Sequence, residues 1–173
     1  MKRILSIAIA VGWLSLSATM ALASDRIIVA TFSDSNKAYD AAKAVKDLKD
    51  AGGIDFKLKT GVIIAKDQNG NVSVLESRSR PLFGAVVGTA TGALIGLIAG
   101  APGAAVGALL GATTGLGADV VTGMLDSELI NSVRVSIVPG TTAIILEADE
   151  GSTRPIDDIV ARDGGHVYRQ TSR

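Results

Sequence analysis

The sequence predicts an α+β fold in which a glycine-rich helical hairpin interrupts a small mixed domain. Three observations support this prediction. Short β-branched runs alternate with amphipathic helical patterns along the 173 residues. These patterns fall into two groups, at residues 24–80 and 119–173. Between the groups lies one long uncharged block, residues 81–118, which carries ten of the chain's 20 glycines.

The first part, residues 24–80, reads as β-α-β-β. A β-branched strand at 26–32 precedes a helix that Ser33, Asp34 or Ser35 can cap. Two alternating strands, 56–66 and 71–76, follow and are joined around Asn69-Gly70, a pair suited to tight hairpin turns. The helix between the first two strands has one apolar face, formed by Ala38, Ala41, Ala42, Val45 and Leu48.

The second part, residues 119–173, reads as α-β-α-β. A helix is predicted over 127–138, with an apolar face at Leu129, Ile130, Val133 and Ile137, and Pro139-Gly140 ends it. A strand at 141–148, a short helix at 155–162 and a last strand at 166–170 complete the chain. The combined order fits a ferredoxin-like split β-α-β domain with one extra α-β unit at the end.

The N-terminal residues 1–23 have the pattern of a secretory signal peptide. Lys2 and Arg3 precede an apolar run at 4–16, and Ala-Leu-Ala at 21–23 places small residues where signal peptidase cleaves. An uncleaved anchor is the alternative, disfavoured because the run is shorter than the roughly 20 residues of a spanning helix. We therefore expect export to a bacterial cell envelope.

Charge and composition argue against several classes of function. The chain has 17 basic and 17 acidic residues, and loss of the signal peptide leaves 15 against 17, a net charge of about −2. Nucleic-acid binding is disfavoured because no basic excess is present. The absence of cysteine excludes disulfides and thiolate metal sites, and the single histidine, His166, disfavours a zinc site or a histidine-based triad. We predict no enzyme activity, no cofactor and no metal.

The block at 81–118 places glycine at every fourth position, with one step of three beside Pro102. Residues four apart form a ridge on a helix, so the glycines remove bulk along one ridge. We predict two antiparallel helices, about 84–100 and 103–117, with a turn at Ala101 and Pro102. The predicted packing and oligomerisation residues are Gly84, Gly88, Gly92, Gly96, Gly100, Gly103, Gly107, Gly111 and Gly115.

A membrane environment explains this use of glycine. In water each interior glycine costs a helix roughly 1 kcal/mol relative to alanine, whereas in lipid the helix is enforced and small residues let helices approach closely. Seventeen residues span roughly 25 Å, which favours a thin bilayer such as the outer membrane over the inner one. A flexible linker and a self-associating segment in water are the alternatives; a linker would be more polar and would not hold a period of four.

The acidic residues that follow the block also have two interpretations. Asp119, Asp126 and Glu128 could form a cation site or an acid/base pair. The simpler interpretation is that Asp119 marks the return to water, while Asp126 or Ser127 caps the next helix and Glu128 lies in its first turn.

Three stretches resemble a bacterial family catalogued as domain of unknown function 1269. They are the glycine-rich run from Phe83 to Gly107, the segment from Val138 to Glu147, and the segment from Asp163 to Ser172; Lys66 to Asn71 looks like that family's hairpin turn. The resemblance implies a small α/β domain interrupted by a glycine-zipper hairpin and associated with membranes. It brings no activity and no catalytic residues.

The sequence therefore predicts an exported, membrane-associated structural protein that forms homo-oligomers through its glycine-zipper hairpin, as an envelope scaffold or a small assembly. Membrane lipid and further copies of the chain are the expected partners. The alternative is a ferredoxin-like binding or sensor module for which the hairpin is a simple membrane anchor.

Overall fold

The computed structural model describes residues 26–53, 55–75, 90–99 and 125–170. Within these residues the chain forms a five-stranded antiparallel sheet and four helices. The elements are β1 (Arg26–Phe32), α1 (Ser35–Asp50), β2 (Phe56–Lys66), β3 (Val72–Val74), the helical segment α2 (90–99), α3 (Ser127–Ser136), β4 (Thr142–Glu150), α4 (Arg154–Arg162) and β5 (His166–Arg169). The α+β class predicted from the sequence is confirmed.

The strand order in the sheet is β3-β2-β4-β1-β5, and every neighbouring pair is antiparallel. Consequently β1 and β2 are parallel to each other with β4 between them, and β4 and β5 are parallel with β1 between them. Each β-α-β unit is thus split by a strand of the other unit. β3 pairs only with β2 and forms one edge of the sheet.

One face of the sheet is covered by α1 and α4, and we call it the α1/α4 face. Alternate residues of the strands, such as Ile28 of β1 and Ile144 of β4, are buried there with Ile156 and Val160 of α4. Helix α1 contributes small side chains, so it lies close to the strands. The buried residues of α1 are Ala38, Ala41, Ala42 and Val45, and Leu48 packs at the margin of this cluster.

The opposite face is covered by α2 and α3, and we call it the α2/α3 face. The intervening strand residues, such as Val29 and Ile145, form a second core cluster there. From α3 this cluster receives Leu129, Ile130, Val133 and Ile137, the four residues predicted from the sequence. The domain therefore has three layers, with a helical layer on each side of the sheet.

Three local signals in the sequence are confirmed, whereas the helix predicted over 127–138 ends at Ser136 and the strand predicted over 71–76 is Val72–Val74. Asp34 caps α1, because its carboxylate accepts a hydrogen bond from the backbone N–H of Asn36 at 2.8 Å. Asp126 caps α3 in the same way through the N–H of Leu129 at 2.6 Å. The hairpin at Asn69-Gly70 also forms, with Gly70 at a φ of 85°.

Several predictions concern residues outside the described ranges. The signal peptide at 1–23, the turn at Ala101 and Pro102, and the second predicted hairpin helix at 103–117 are among them, as is Asp119. These features stay predictions. Of the first predicted hairpin helix, residues 90–99 are described and are helical.

Candidate functional site

The candidate site is the small-residue surface of α2. Two of the predicted packing glycines, Gly92 and Gly96, lie within α2, where Gly92 is buried and Gly96 is half-buried. The other predicted positions lie outside the described residues: Gly84, Gly88, Gly100, Gly103, Gly107, Gly111 and Gly115. The geometry of the site is therefore given by α2 and by the sheet beneath it.

Three large apolar side chains hold α2 on the domain. Leu94, Ile95 and Ile98 are exposed by only 1%, 0% and 7%, and they belong to the same core cluster as Val62 and Ile64 of β2. The sequence did not reveal that these side chains lie in the core of the domain, in one cluster with residues of the sheet.

Gly96 presents a surface with room beside it. A Cβ atom built on Gly96 would meet no heavy atom within 4 Å, neighbouring residues and the helix's own backbone aside. The missing side chain is thus not needed for close packing inside this chain. Gly92 is buried, so the open part of the ridge in the described residues is the surface at Gly96, where another backbone could approach at short distance.

Helix α2 carries features that lower its stability in water. Each of its two glycines costs roughly 1 kcal/mol of helix propensity relative to alanine. In addition Thr91 is fully buried, and its hydroxyl has no hydrogen-bond partner. Leaving a buried hydroxyl unpaired costs about 1–3 kcal/mol. The apolar contacts of α2 with the sheet must offset these terms.

A separate polar cluster fixes the C-terminal elements on the α1/α4 face. The guanidinium of Arg169 on β5 donates to both carboxylate oxygens of Glu150, at 2.8 and 3.2 Å, and lies 2.7 Å from Oδ1 of Asp157 on α4. It also donates to the carbonyl of Thr153 at 3.3 Å. The Glu150 side chain is completely buried.

The charge state of this cluster follows from its partners. Burial opposes the positive charge of Arg169, but the hydrogen bonds to Glu150 and Asp157 outweigh it, so the pKa of the guanidinium is raised. Asp157 lies in the first turn of α4, and the sequence analysis missed its ion pair. Glu150 and Arg169 are 19 residues apart, and no local pattern connects them.

Two acidic residues on β4 lie on the α2/α3 face near a β-bulge. Glu147 is paired with Thr60 in the sheet register, directly after the irregularity between Leu58 and Thr60. Oε2 of Glu147, Oδ1 of Asp149 and Oγ1 of Thr60 are buried without a hydrogen-bond partner. Lys59 partly balances this charge, because its Nζ lies 3.8 Å from Oδ1 of Asp149.

The other candidate residues have structural roles where the structure describes them. Asp126 caps α3 and Glu128 lies in its first turn, as the simpler interpretation of the acidic residues predicted. His166 begins β5 and is exposed. In the described part of the chain no group of three or more histidine, cysteine, aspartate or glutamate side chains is placed to hold a metal ion. A helix long and apolar enough to cross a bilayer is likewise not found in those ranges.

The comparisons with known proteins give one positive result. Neither the curated proteins nor the solved structures contain a match to this chain. A family described as "Protein of unknown function (DUF1269)" matches residues 80–171, which is more than half of the 173 residues. The match covers α2 through β5 and begins after the hairpin turn at 66–71. The chain therefore belongs to the DUF1269 family, whose function is not known.

Proposed function

We propose that this chain is a non-enzymatic, exported, membrane-associated structural protein whose copies associate through the glycine ridge of α2. The observation that carries the proposal is that α2 is fixed by three large apolar side chains and has an open glycine position, Gly96. Leu94, Ile95 and Ile98 hold α2 on the sheet, and a side chain at Gly96 would meet nothing within 4 Å. The position of Gly96 on the ridge is therefore available to a second copy, whereas Gly92 is buried.

The energetics support a role for the ridge between molecules. Glycine weakens α2 as a helix and does not improve the packing at position 96 inside the chain. A close contact between two backbones is the physical gain that glycine offers in a helix. Membrane association is supported by the uncharged stretch at 81–118, and export by the pattern at 1–23.

We also propose that the domain is ferredoxin-like, with β1, β2, β4 and β5 as its four strands. The two interleaved β-α-β units support this assignment, as does the position of α1 and α4 on one face. The elements from β3 to α3 are then an insertion between the second and third strands. The sequence had instead predicted an extra α-β unit at the chain end.

The test is the substitution Gly96→Leu in the chain as its host produces it, followed by chemical cross-linking in membranes. We expect the cross-linked oligomers to disperse while the domain stays folded, because the space around Gly96 accepts a side chain. Gly53→Leu is the matched control, since Gly53 is exposed, also has nothing within 4 Å of a Cβ, and lies outside α2. Unchanged oligomers in the Gly96→Leu variant would favour the alternative, in which the segment is a simple anchor for a binding or sensor module.

A further inference from the structure

We propose that α2 is a two-position segment that lies on the sheet in water and leaves it to enter a lipid bilayer. This inference rests on the proposed membrane association. Leu94, Ile95 and Ile98 are the large side chains with which α2 could bind lipid, and the structure places all three in the core of the domain. The sheet and the bilayer therefore compete for the same apolar surface.

Two features destabilise α2 when it is docked on the sheet, and both would be relieved when it is embedded in lipid. Gly92 and Gly96 disfavour a helix in water, whereas in lipid the backbone must form its internal hydrogen bonds. The buried hydroxyl of Thr91 has no partner in the docked position. In a bilayer a threonine hydroxyl can hydrogen-bond across to another helix, a partner that Thr91 lacks in the docked position. Both features shift the balance toward release.

Helix α3, which covers the rest of the α2/α3 face, has its own hydrogen bonds to the sheet. Helix α3 is capped by Asp126, and the carbonyl of Ile137 just after it accepts a hydrogen bond from Nζ of Lys66 at 3.2 Å. The following turn is tied to β2, because the N–H of Gly140 donates to the carbonyl of Lys66 at 2.8 Å. Release of α2 therefore leaves α3 attached to the sheet.

The experiment measures insertion with a dye on a single cysteine. The chain contains no cysteine, so Leu97→Cys, at a half-buried position of α2, can carry one environment-sensitive fluorophore. The labelled chain, purified after export, is mixed with vesicles of phosphatidylcholine and phosphatidylglycerol. We expect the emission to shift to shorter wavelength as the label enters lipid. A chain whose label shows no change with vesicles overturns the proposal.

A matched pair of core variants tests the competition. Val62→Ala removes two methyl groups from the sheet on the α2/α3 face without changing α2, and Val160→Ala makes the same change on the α1/α4 face. We expect Val62→Ala to raise vesicle partitioning by up to about tenfold, since the docking surface is reduced, and Val160→Ala to leave it unchanged. Equal effects of the two variants would overturn the proposal.

Thr91→Val distinguishes release from simple hydrophobic partitioning. If docking competes with lipid, removal of the unpaired hydroxyl strengthens the docked position and lowers vesicle partitioning by about threefold. If only hydrophobicity matters, valine raises partitioning, and this result overturns the proposal. The Gly96→Leu oligomer test is independent of these measurements. If Gly96→Leu disperses the oligomers but Val62→Ala leaves vesicle partitioning unchanged, the two-position proposal is contradicted and the proposed association through the ridge is not.

Discussion

The two faces of the sheet are both covered by helices, but by different physical means. On the α1/α4 face, alanines let α1 lie close to the strands, and the half-buried Arg169 joins β4, α4 and β5 through the carboxylates of Glu150 and Asp157. On the α2/α3 face, α2 contains two glycines and a buried unpaired threonine hydroxyl. The α1/α4 face combines an ion-pair cluster with tight packing, whereas on the α2/α3 face large apolar side chains hold α2 in the core.

Because of this difference, we expect the two faces to have different roles. Removing the partner of a buried carboxylate such as that of Glu150 is strongly destabilising. A segment that is held by apolar contacts and carries an unpaired hydroxyl can be released at a lower cost. We therefore expect the α1/α4 face to determine global stability and α2 to determine association. The following predictions test this contrast, from the largest expected effect to the smallest.

The largest effect is expected at the ion-pair cluster of the α1/α4 face. Arg169→Met leaves the completely buried carboxylate of Glu150 without its partner, which should lower the free energy of unfolding by about 3–5 kcal/mol in urea titrations. The double variant Glu150→Gln with Arg169→Met should recover most of the loss, because no buried charge remains. A loss below about 1 kcal/mol in the single variant, as for exposed pairs, would contradict the contrast.

Two fully buried isoleucines compare the faces directly. Ile156→Ala on α4 should lower the free energy of unfolding by about 2–5 kcal/mol. Ile95→Ala on α2 should lower it by less, because the loss cannot exceed the free energy that holds α2 on the sheet. Hydrogen exchange provides the second measurement, with faster exchange of the α2 amides in Ile95→Ala and no change in α1. Equal losses of global stability would mean that α2 is an integral part of the fold.

Gly165 on the α1/α4 face is closely packed, whereas Gly96 on the α2/α3 face has open space beside it. A Cβ at Gly165 would lie 2.5 Å from Cε1 of Phe32 and 2.7 Å from Cγ1 of Val160. Gly165→Ala should therefore lower the free energy of unfolding by about 1–3 kcal/mol. Gly96→Ala has open space and should raise helix stability by about 1 kcal/mol. Thermal unfolding of both variants gives the sign, and a destabilised Gly96→Ala chain would show that the ridge is packed internally.

The smallest effect is expected at the hairpin between β2 and β3, at the edge of the sheet. A hydrogen bond from the side chain of Asn71, with further bonds from backbone N–H groups, lowers the pKa of Asp67 below its ordinary value of 3.8. A carboxylate with a lowered pKa stabilises the fold at neutral pH, and this contribution is lost as the pH falls through its folded pKa. Asp67→Asn should therefore be less stable than the parent chain at pH 7, and the difference should vanish at pH values well below 3.8. A stability difference that is the same at every pH would show that the effect comes from the conformation of the turn and not from the charge of Asp67.

Much of the fold could be predicted from the sequence because its signals are local. β1 was predicted at its observed bounds, and Asp34 and Asp126 were among the candidate caps because a capping side chain bonds within a few residues. The apolar face of α3 follows from the helical period. The sheet order was not predictable in this way, because β4 lies between β1 and β2 only through pairing across long stretches of chain.

The candidate site likewise has features that follow from the sequence and features that depend on the tertiary structure. The sequence by itself determined that α2 has a glycine ridge on one side and large apolar residues on the other, since helical spacing fixes which residues share a face. Only the tertiary structure decided that Leu94, Ile95 and Ile98 pack on the sheet, that Thr91 is left unpaired, and that Gly96 has room beside it. The physical reason is that apolar side chains partition into whichever apolar surface is available, and the existence of that surface depends on distant strands.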